Sequence, residues 1–466
     1  MAGILLIILF SVVLQSIISN YIIMKYDIII IGCGISSLFF LYNLHKKNSN
    51  LRVCVIEKKP YIGGRIQSIK IENQTIDSGA LRFSKNHKEL IKLLKELDIT
   101  DYKKLPKYEK LNKKYRDFLE ITSTKKYAKY PFSSIAKEHF TLEEYAEFKL
   151  WFGYDEKWDN SQCYLLSKSL MKNYNSDDYF YFPDGFSILP QKIFDIVKDK
   201  FTFHFGTKVS KISPSNNIYT LDNSHFTADH IIFACPPHYI QKIEGTNNLT
   251  PILAAIGSQT LNRIYAYFPR QKWFPKKIIH CSSPIGQIYP LLNDIMMISY
   301  SSGTDAQYNL TRDKIWDGKH KPKWVKQNYW NPATHYYYPG FEPEKIQDLS
   351  FKPLENENWY IIGESFSINQ GWVDGAIENT KKFIKKFENK SFVKEKIFSM
   401  KEVEKNNYMI IWNNVYDVKE WIPKHPGGDI IKMGLGKDAT HIFENIGHSK
   451  DAIRFMEKYK IGIINK

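Results

Sequence analysis

Hydrophobic residues are grouped along this chain in three ways, and each grouping predicts a different element. Residues 26–31 and 51–56 are short, nearly unbroken apolar runs, the mark of strands buried on both faces of a parallel sheet. The first runs straight into Gly32-Cys-Gly34 and then into a second apolar stretch that reads as a helix. Around residues 90–97 the apolar positions Leu90, Leu93, Leu94 and Leu97 fall at helical spacing, within a lysine- and aromatic-rich region over residues 85–200. Residues 3–23 form the third pattern, an apolar segment of signal-peptide character that nearly reaches the length of a membrane span.

Strand, glycine turn and helix together predict a dinucleotide site. Gly32 and Gly34 permit the tight turn and let the backbone approach a pyrophosphate, whose charge is held by N–H groups at the helix N-terminus. Glu57 follows the second strand, where a carboxylate hydrogen-bonds a ribose hydroxyl and disfavours a 2′-phosphate. Ser37 stands where such a fingerprint has its third glycine, so helix and strand are expected to pack slightly less tightly.

Three further pieces, Gly63-Gly64-Arg65 after Glu57, the late Gly363-Glu364, and Gly371-Trp372, resemble the FAD-dependent amine oxidase superfamily. The resemblance implies a two-lobed α/β, Rossmann-like flavoprotein over residues 24–390, with a mixed α+β substrate lobe mainly at 85–200 and 255–345. It puts Gly63, Gly64, Arg65, Gly363 and Glu364 along the pyrophosphate and ribityl chain of FAD, and Val209, on a middle strand, near the adenine. Arg65 has a rationale of its own, since a guanidinium makes a forked contact to phosphate. No cysteine stands among residues 336–339, so FAD is expected to be non-covalent.

Arg82 resembles the arginine that L-amino-acid oxidases bring to a substrate carboxylate; the alternative is an arginine tied to a structural acid or to the flavin phosphate. Gly371 and Trp372 are similar to the pair whose glycine carbonyl meets the substrate amine and whose tryptophan faces the flavin. Tyr329, Trp330, Tyr336 and Tyr338 are candidates for further aromatic walls. Arg263 stands where many superfamily members carry a lysine near the flavin's reactive nitrogen. A guanidinium stays protonated at working pH, which puts oxygen chemistry in question.

Near the C-terminus, His425-Pro-Gly-Gly and a second motif ending in His448 hold two histidines 23 positions apart. They cannot share one helix face, so each comes from its own turn and approaches a common centre. That suits a six-coordinate haem with no open axial site, an iron that only exchanges electrons. Ile442, Phe443 and Ile446 offer one apolar wall, and His441 reads as a solvated helix residue. With the stretches 408–418 and 459–462, these motifs resemble a cytochrome b5 domain over residues 400–466, a small α+β unit holding haem b. Residues 391–399 read as a basic linker.

A net charge of +16 prompts a search for nucleic acid or membrane partners, but the lysines are spread along the chain and no nucleic-acid motif appears. Cys33, Cys54 and Cys235 fall on flavin-lobe elements, so no disulfide framework is implied. The N-terminal segment predicts a secretory or membrane-associated protein, with possible membrane association through that segment; a start at Met24 would make it cytoplasmic. The combined expectation is an enzyme that oxidises an amine or amino acid at FAD and passes electrons to the haem and then to an external acceptor. The alternatives are an oxygen-using amine or polyamine oxidase with an accessory haem domain, and an inactive flavin fold acting as an electron-carrier scaffold.

Overall fold

The computed structural model describes residues 24–464 except 106–110, 175–178, 270, 282–284, 292–293, 304–305, 307–319, 392–395 and 457–458. The apolar segment 1–23, expected to be a signal or anchor, lies outside the described residues. Among the described residues no helix is long and apolar enough to cross a membrane. The chain divides into two compact units, the first ending at Ile384 and the second spanning Lys385–Lys466.

In the first unit, Met24–Ile31 lies between Val53–Glu57 and His225–Phe233, parallel to both. Thr202–Phe205 extends the sheet beyond Val53–Glu57, and Trp359–Ile361 pairs in parallel with His225–Phe233. The antiparallel strands Asn217–Thr220 and Val209–Ser213 complete seven described strands. Ile28, Ile29 and Ile30 are fully buried, which is why this strand shows no alternation with polar residues. Each contributes at most about 1.5–3 kcal/mol of burial. The helix Ile35–Lys46 is likewise buried from Ile35 to Tyr42.

The second lobe of this unit has an antiparallel sheet in the order Ile279–His280, Gln287–Pro290, Ile295–Ser302, Ile256–Tyr267, Trp324–Tyr337. Helices Lys113–Thr122, Phe132–His139, Leu142–Phe152, Asp155–Asn160 and Cys163–Tyr174 accompany it. Their shared core is aromatic: Phe118, Phe132, Phe148 and Trp158 meet at ring-centre distances of 4.9 to 5.9 Å. Trp158, fully buried, pins the short helix Asp155–Asn160 and so fixes where the adjacent Lys157 stands.

The C-terminal unit is built on a sheet in the order Lys396–Phe398, Lys460–Ile464, Asn414–Tyr416, Met409–Ile411, Lys437–Asp438. Lys396–Phe398 falls inside the stretch read as a linker, yet it pairs in parallel with Lys460–Ile464. Backbone pairing therefore extends the small sheet N-terminally of residue 400. The architecture is a Rossmann-like α/β lobe, a mixed α+β lobe and a separate small α+β unit.

Candidate functional site

A cavity of about 520 Å³ runs from the glycine turn into the second lobe, a size typical of ligand sites. At one end Gly32 has φ +106° and an added Cβ would stand 2.9 Å from the Ala234 carbonyl oxygen, so the turn demands glycine. Gly34 lines the cavity, and its added Cβ would meet nothing within 4 Å. That open cradle, beside the N-terminus of a buried helix, fits a pyrophosphate. Gly63 donates its N–H to the Cys33 carbonyl at 2.8 Å, and Gly63 and Gly64 both have positive φ, which seats the Gly-Gly-Arg turn on the first glycine turn. Ser37 is fully buried and its hydroxyl bonds back to the Gly32 carbonyl, a compensation within the turn that its sequence position alone did not reveal.

Glu57 accepts the Cys33 N–H at 2.7 Å and the Lys59 N–H at 2.8 Å. Each carboxylate oxygen keeps further lone-pair capacity for a hydroxyl. Val209 lines the same end of the cavity with Thr207, Lys208 and Tyr239.

Midway, Glu364 acts as a hub. One oxygen accepts Arg65 Nη1 at 2.7 Å and sits 2.8 Å from His335 Nδ1; the other accepts the Gly371 N–H at 2.6 Å and the His335 N–H at 3.3 Å. Arg65 Nη1 also donates to the Ala333 carbonyl at 2.8 Å. Burial works against the Glu364 charge, but the Arg65 guanidinium, His335 and Lys157 hold its carboxyl well below the usual range. Gly363, with φ +124°, donates its N–H to Asn379 Oδ1 at 2.9 Å and carries the chain into this hub.

At the far end, Arg82 donates from Nη1 to the Tyr289 hydroxyl at 3.1 Å. Its guanidinium carbon lies 5.0 Å from the Tyr179 ring centre, 5.5 Å from Tyr289 and 5.9 Å from Trp372. Trp372 runs nearly parallel to Tyr179 at 6.4 Å and packs on the buried His87 at 4.6 Å. Arg263 lines the cavity but its Nη1 is turned to the Gly79 carbonyl and, at 3.4 Å, to that of Asp77. Asp77 is buried, and burial pushes its carboxyl up to about 7 despite hydrogen bonds from Ser68 and the Phe186 N–H.

Of the proposed aromatic walls only Trp330 reaches the cavity, where Nε1 donates to the Ser78 carbonyl at 2.6 Å. Tyr329 and Tyr338 are exposed and Tyr336 packs against Gly257; the cavity is met instead by the consecutive residues 330–334, where the pairing of this strand with Ile256–Tyr267 shifts register. Sequence reasoning missed Tyr179 and Tyr289, which flank Arg82, and Tyr300 and Lys157, which line the cavity; they stand on unrelated segments and carry no motif. A lysine two residues into a short helix gives no signal until Trp158 is known to be core.

In the C-terminal unit the His425 and His448 ring centres are 6.4 Å apart. Two metal–imidazole bonds of about 2.0–2.1 Å, with about 1.1 Å from nitrogen to ring centre on each side, require about 6.3 Å. His448 Nδ1 lies 3.1 Å from the Phe443 carbonyl, which only accepts, so Nδ1 carries the proton and Nε2 the free lone pair. Phe443 stacks on His448 at 4.0 Å. Ile430, Met433 and Ile446, close in sequence to the two histidines, are exposed apolar side chains of the kind a haem would cover. His441 is exposed.

Comparison with known proteins agrees in three places. Residues 30–97 match the NAD(P)-binding Rossmann-like domain, residues 112–312 the flavin containing amine oxidoreductase family, and residues 394–465 the cytochrome b5-like heme/steroid binding domain. The chain joins a flavin amine oxidoreductase region to a cytochrome b5-like domain. FAD and haem are the cofactors these matches indicate, and the residues present at both sites fit them. The haem domain is 48% identical over 73 residues to cytochrome b5 of Musca domestica, covering 14% of this chain and 54% of that one. It is 42% identical over 77 residues to that of Rhizopus stolonifer, covering 15% and 59%. The chain thus spans about half the length of the curated relatives it matches. Two solved structures of putrescine oxidase variants share the fold of the flavin region. A double mutant has TM-score 0.63 at 14% identity, covering 78% of this chain and 99% of its own, and a single mutant has 0.65 at 14%, covering 79% and 100%.

Proposed function

We propose that this protein oxidises the C–N bond of an amino acid and delivers the electrons through its own haem domain to an external acceptor. The observation that carries the substrate class is the charge of the cavity lining at its far end. Arg82 and Arg263 line it and Lys157 lines the cavity beside Gly371, whereas the lining carboxylates are Glu57 and Glu364, both already holding protein donors. A cation-rich pocket of this kind favours a substrate that brings a carboxylate. A diamine such as the putrescine named for the structural neighbours would bring two ammonium groups and no anion. Arg82 orients the carboxylate, its own guanidinium held among the rings of Tyr179, Tyr289 and Trp372, of which Trp372 also lines the cavity. Glu364 fixes the Gly371 turn by accepting its N–H. When bound, FAD supplies the two-electron acceptor and the bis-histidine haem a one-electron relay. The apolar residues 1–23 support assignment to the secretory pathway or a membrane surface.

The test is anaerobic reduction of the purified holoprotein by paired amino acids and their decarboxylated amines, with flavin and haem absorbance followed separately. The expected result is flavin reduction by an amino acid, followed by reduction of the haem. Arg82→Ala should cost about tenfold to hundredfold in specificity constant for the acid, from roughly 1.5–3 kcal/mol of charge-assisted contact. The amine should scarcely respond. Equal losses for acid and amine would remove Arg82 from carboxylate binding, and a haem that stays oxidised beside reduced flavin would favour oxygen as the acceptor.

A further inference from the structure

Lys157 lines the cavity beside the Gly371 turn, and its amine is a titratable group there to which the reading above assigns no role. It projects from the helix Asp155–Asn160, whose next residue, Trp158, is fixed in the aromatic core, so its backbone is held rigidly. The Lys157 N–H also bonds Gln259 Oε1 at 3.2 Å. Its Nζ reaches the turn at Gly371, where a Cβ added to the glycine would stand 3.1 Å from it. Lys157 lines the cavity, and no hydrogen bond or ion pair to its amine is found among the described residues.

We infer that Lys157 is the catalytic base that receives a proton from the substrate ammonium, a role that rests on the amino-acid oxidation proposed above. An ammonium has no nitrogen lone pair to assist loss of hydride from the adjacent carbon, so it must first be deprotonated. The substrate N–H bond breaks, its electron pair stays on the substrate nitrogen, and a new N–H bond forms at Lys157 Nζ. The substrate amine is then neutral and Lys157 carries the charge, so proton and charge balance before any electron moves. The neutral nitrogen's lone pair can then form the C=N bond as the Cα hydrogen leaves with its electron pair as hydride, for which FAD, when bound, would supply the two-electron acceptor.

The electrostatics are consistent with this. Burial brings the Lys157 amine down to about 8, with Arg65 pushing the same way and Glu364 opposing. His335, on the neighbouring strand, is itself held in its neutral form chiefly by burial. On its own helix, Asp155 pairs with Lys149 at 3.4 Å and Glu156 lies against Gly303. About half of such a lysine is neutral at pH 8, against well under about 1% of a free one. Arg263 has no comparable neutral form.

The experiment measures the rate of anaerobic flavin reduction from about pH 6 to about pH 10 in wild type, Lys157→Met and Lys157→Arg, using whichever amino acid or amine reduces the wild type. Wild type should show a rise with a midpoint near 8. Both variants should keep their FAD, lose about a hundredfold at neutral pH, and shift the midpoint to that of the free substrate ammonium. A second readout needs no turnover. Benzoate binding, followed by the flavin spectrum, should weaken as pH rises through about 8 in wild type and stay flat across that range in Lys157→Met. An unchanged midpoint in the variants overturns the assignment, as does loss of FAD on mutation. If only amines reduce the wild type and Arg82→Ala does not discriminate, the substrate class fails while the lysine role is still decided by the same profiles. A wild type reduced by neither overturns both.

Discussion

Replacing Glu364 by glutamine tests the hub on which the cavity is organised. The carboxylate is 6% exposed and receives four donors, two of them from Arg65 and His335 side chains. Glutamine keeps one acceptor oxygen but turns an NH2 toward groups that already donate, and it removes the charge facing Arg65. Breaking a buried pair by removing one partner costs roughly 3–5 kcal/mol. Arg65 retains 30% side-chain exposure toward the cavity, which places the expected loss near the lower end, about 3 kcal/mol, or a factor of about 150 in the folding equilibrium. Because the Glu364 carboxyl lies below its unfolded value of 4.5, its contribution is fully present above that pH and is lost as pH falls through the depressed folded value. The deficit of the variant should therefore be constant from about pH 5 upward and shrink only in acid. The assay is urea unfolding of the full-length holoprotein, with flavin release reporting the flavin region and haem absorbance the C-terminal unit. The flavin transition should move to lower urea while the haem transition stays put, and Arg65→Met should recover part of the loss when combined with the glutamine. A penalty below about 1 kcal/mol, or equal shifts of both transitions, would refute the hub.

Other outcomes follow from the same structure. Alanine at His425 or at His448 should open a coordination site and abolish the low-spin haem spectrum, and unchanged spectra in both would remove the ligand assignment. Asp77→Asn keeps an acceptor for Ser68 and the Phe186 N–H but removes a carboxyl whose burial raises it from 3.8 to about 7. The folded state holds the extra proton between those values, so wild-type stability should fall by up to about 4 kcal/mol as pH rises through that window, and urea midpoints of the variant should show a flatter profile.

Much of the first unit is legible from sequence because its signals are local. Glycine is required at 32, 63 and 363 by positive φ, and an isoleucine strand without polar alternation can be buried only inside a sheet. The two histidine motifs are similarly self-contained: each turn presents its own ring, and chain geometry brings the rings to 6.4 Å. The substrate end is different. Arg82, Tyr179, Tyr289 and Trp372 come from four distant segments, and Lys157 from a fifth, so no spacing along the chain relates them. Sequence could offer Arg65 to phosphate and Glu364 to the cofactor, but only packing revealed that the two are paired with each other and with His335. Nor could composition tell that Trp330 would be a wall and the neighbouring tyrosines would not, since the cavity is met at residues 330–334, where the pairing of the strand Trp324–Tyr337 shifts register. Backbone conformation and core burial are properties of short stretches, which this sequence determines by itself. The charge and shape of the pocket depend on side chains that long-range packing alone brings together.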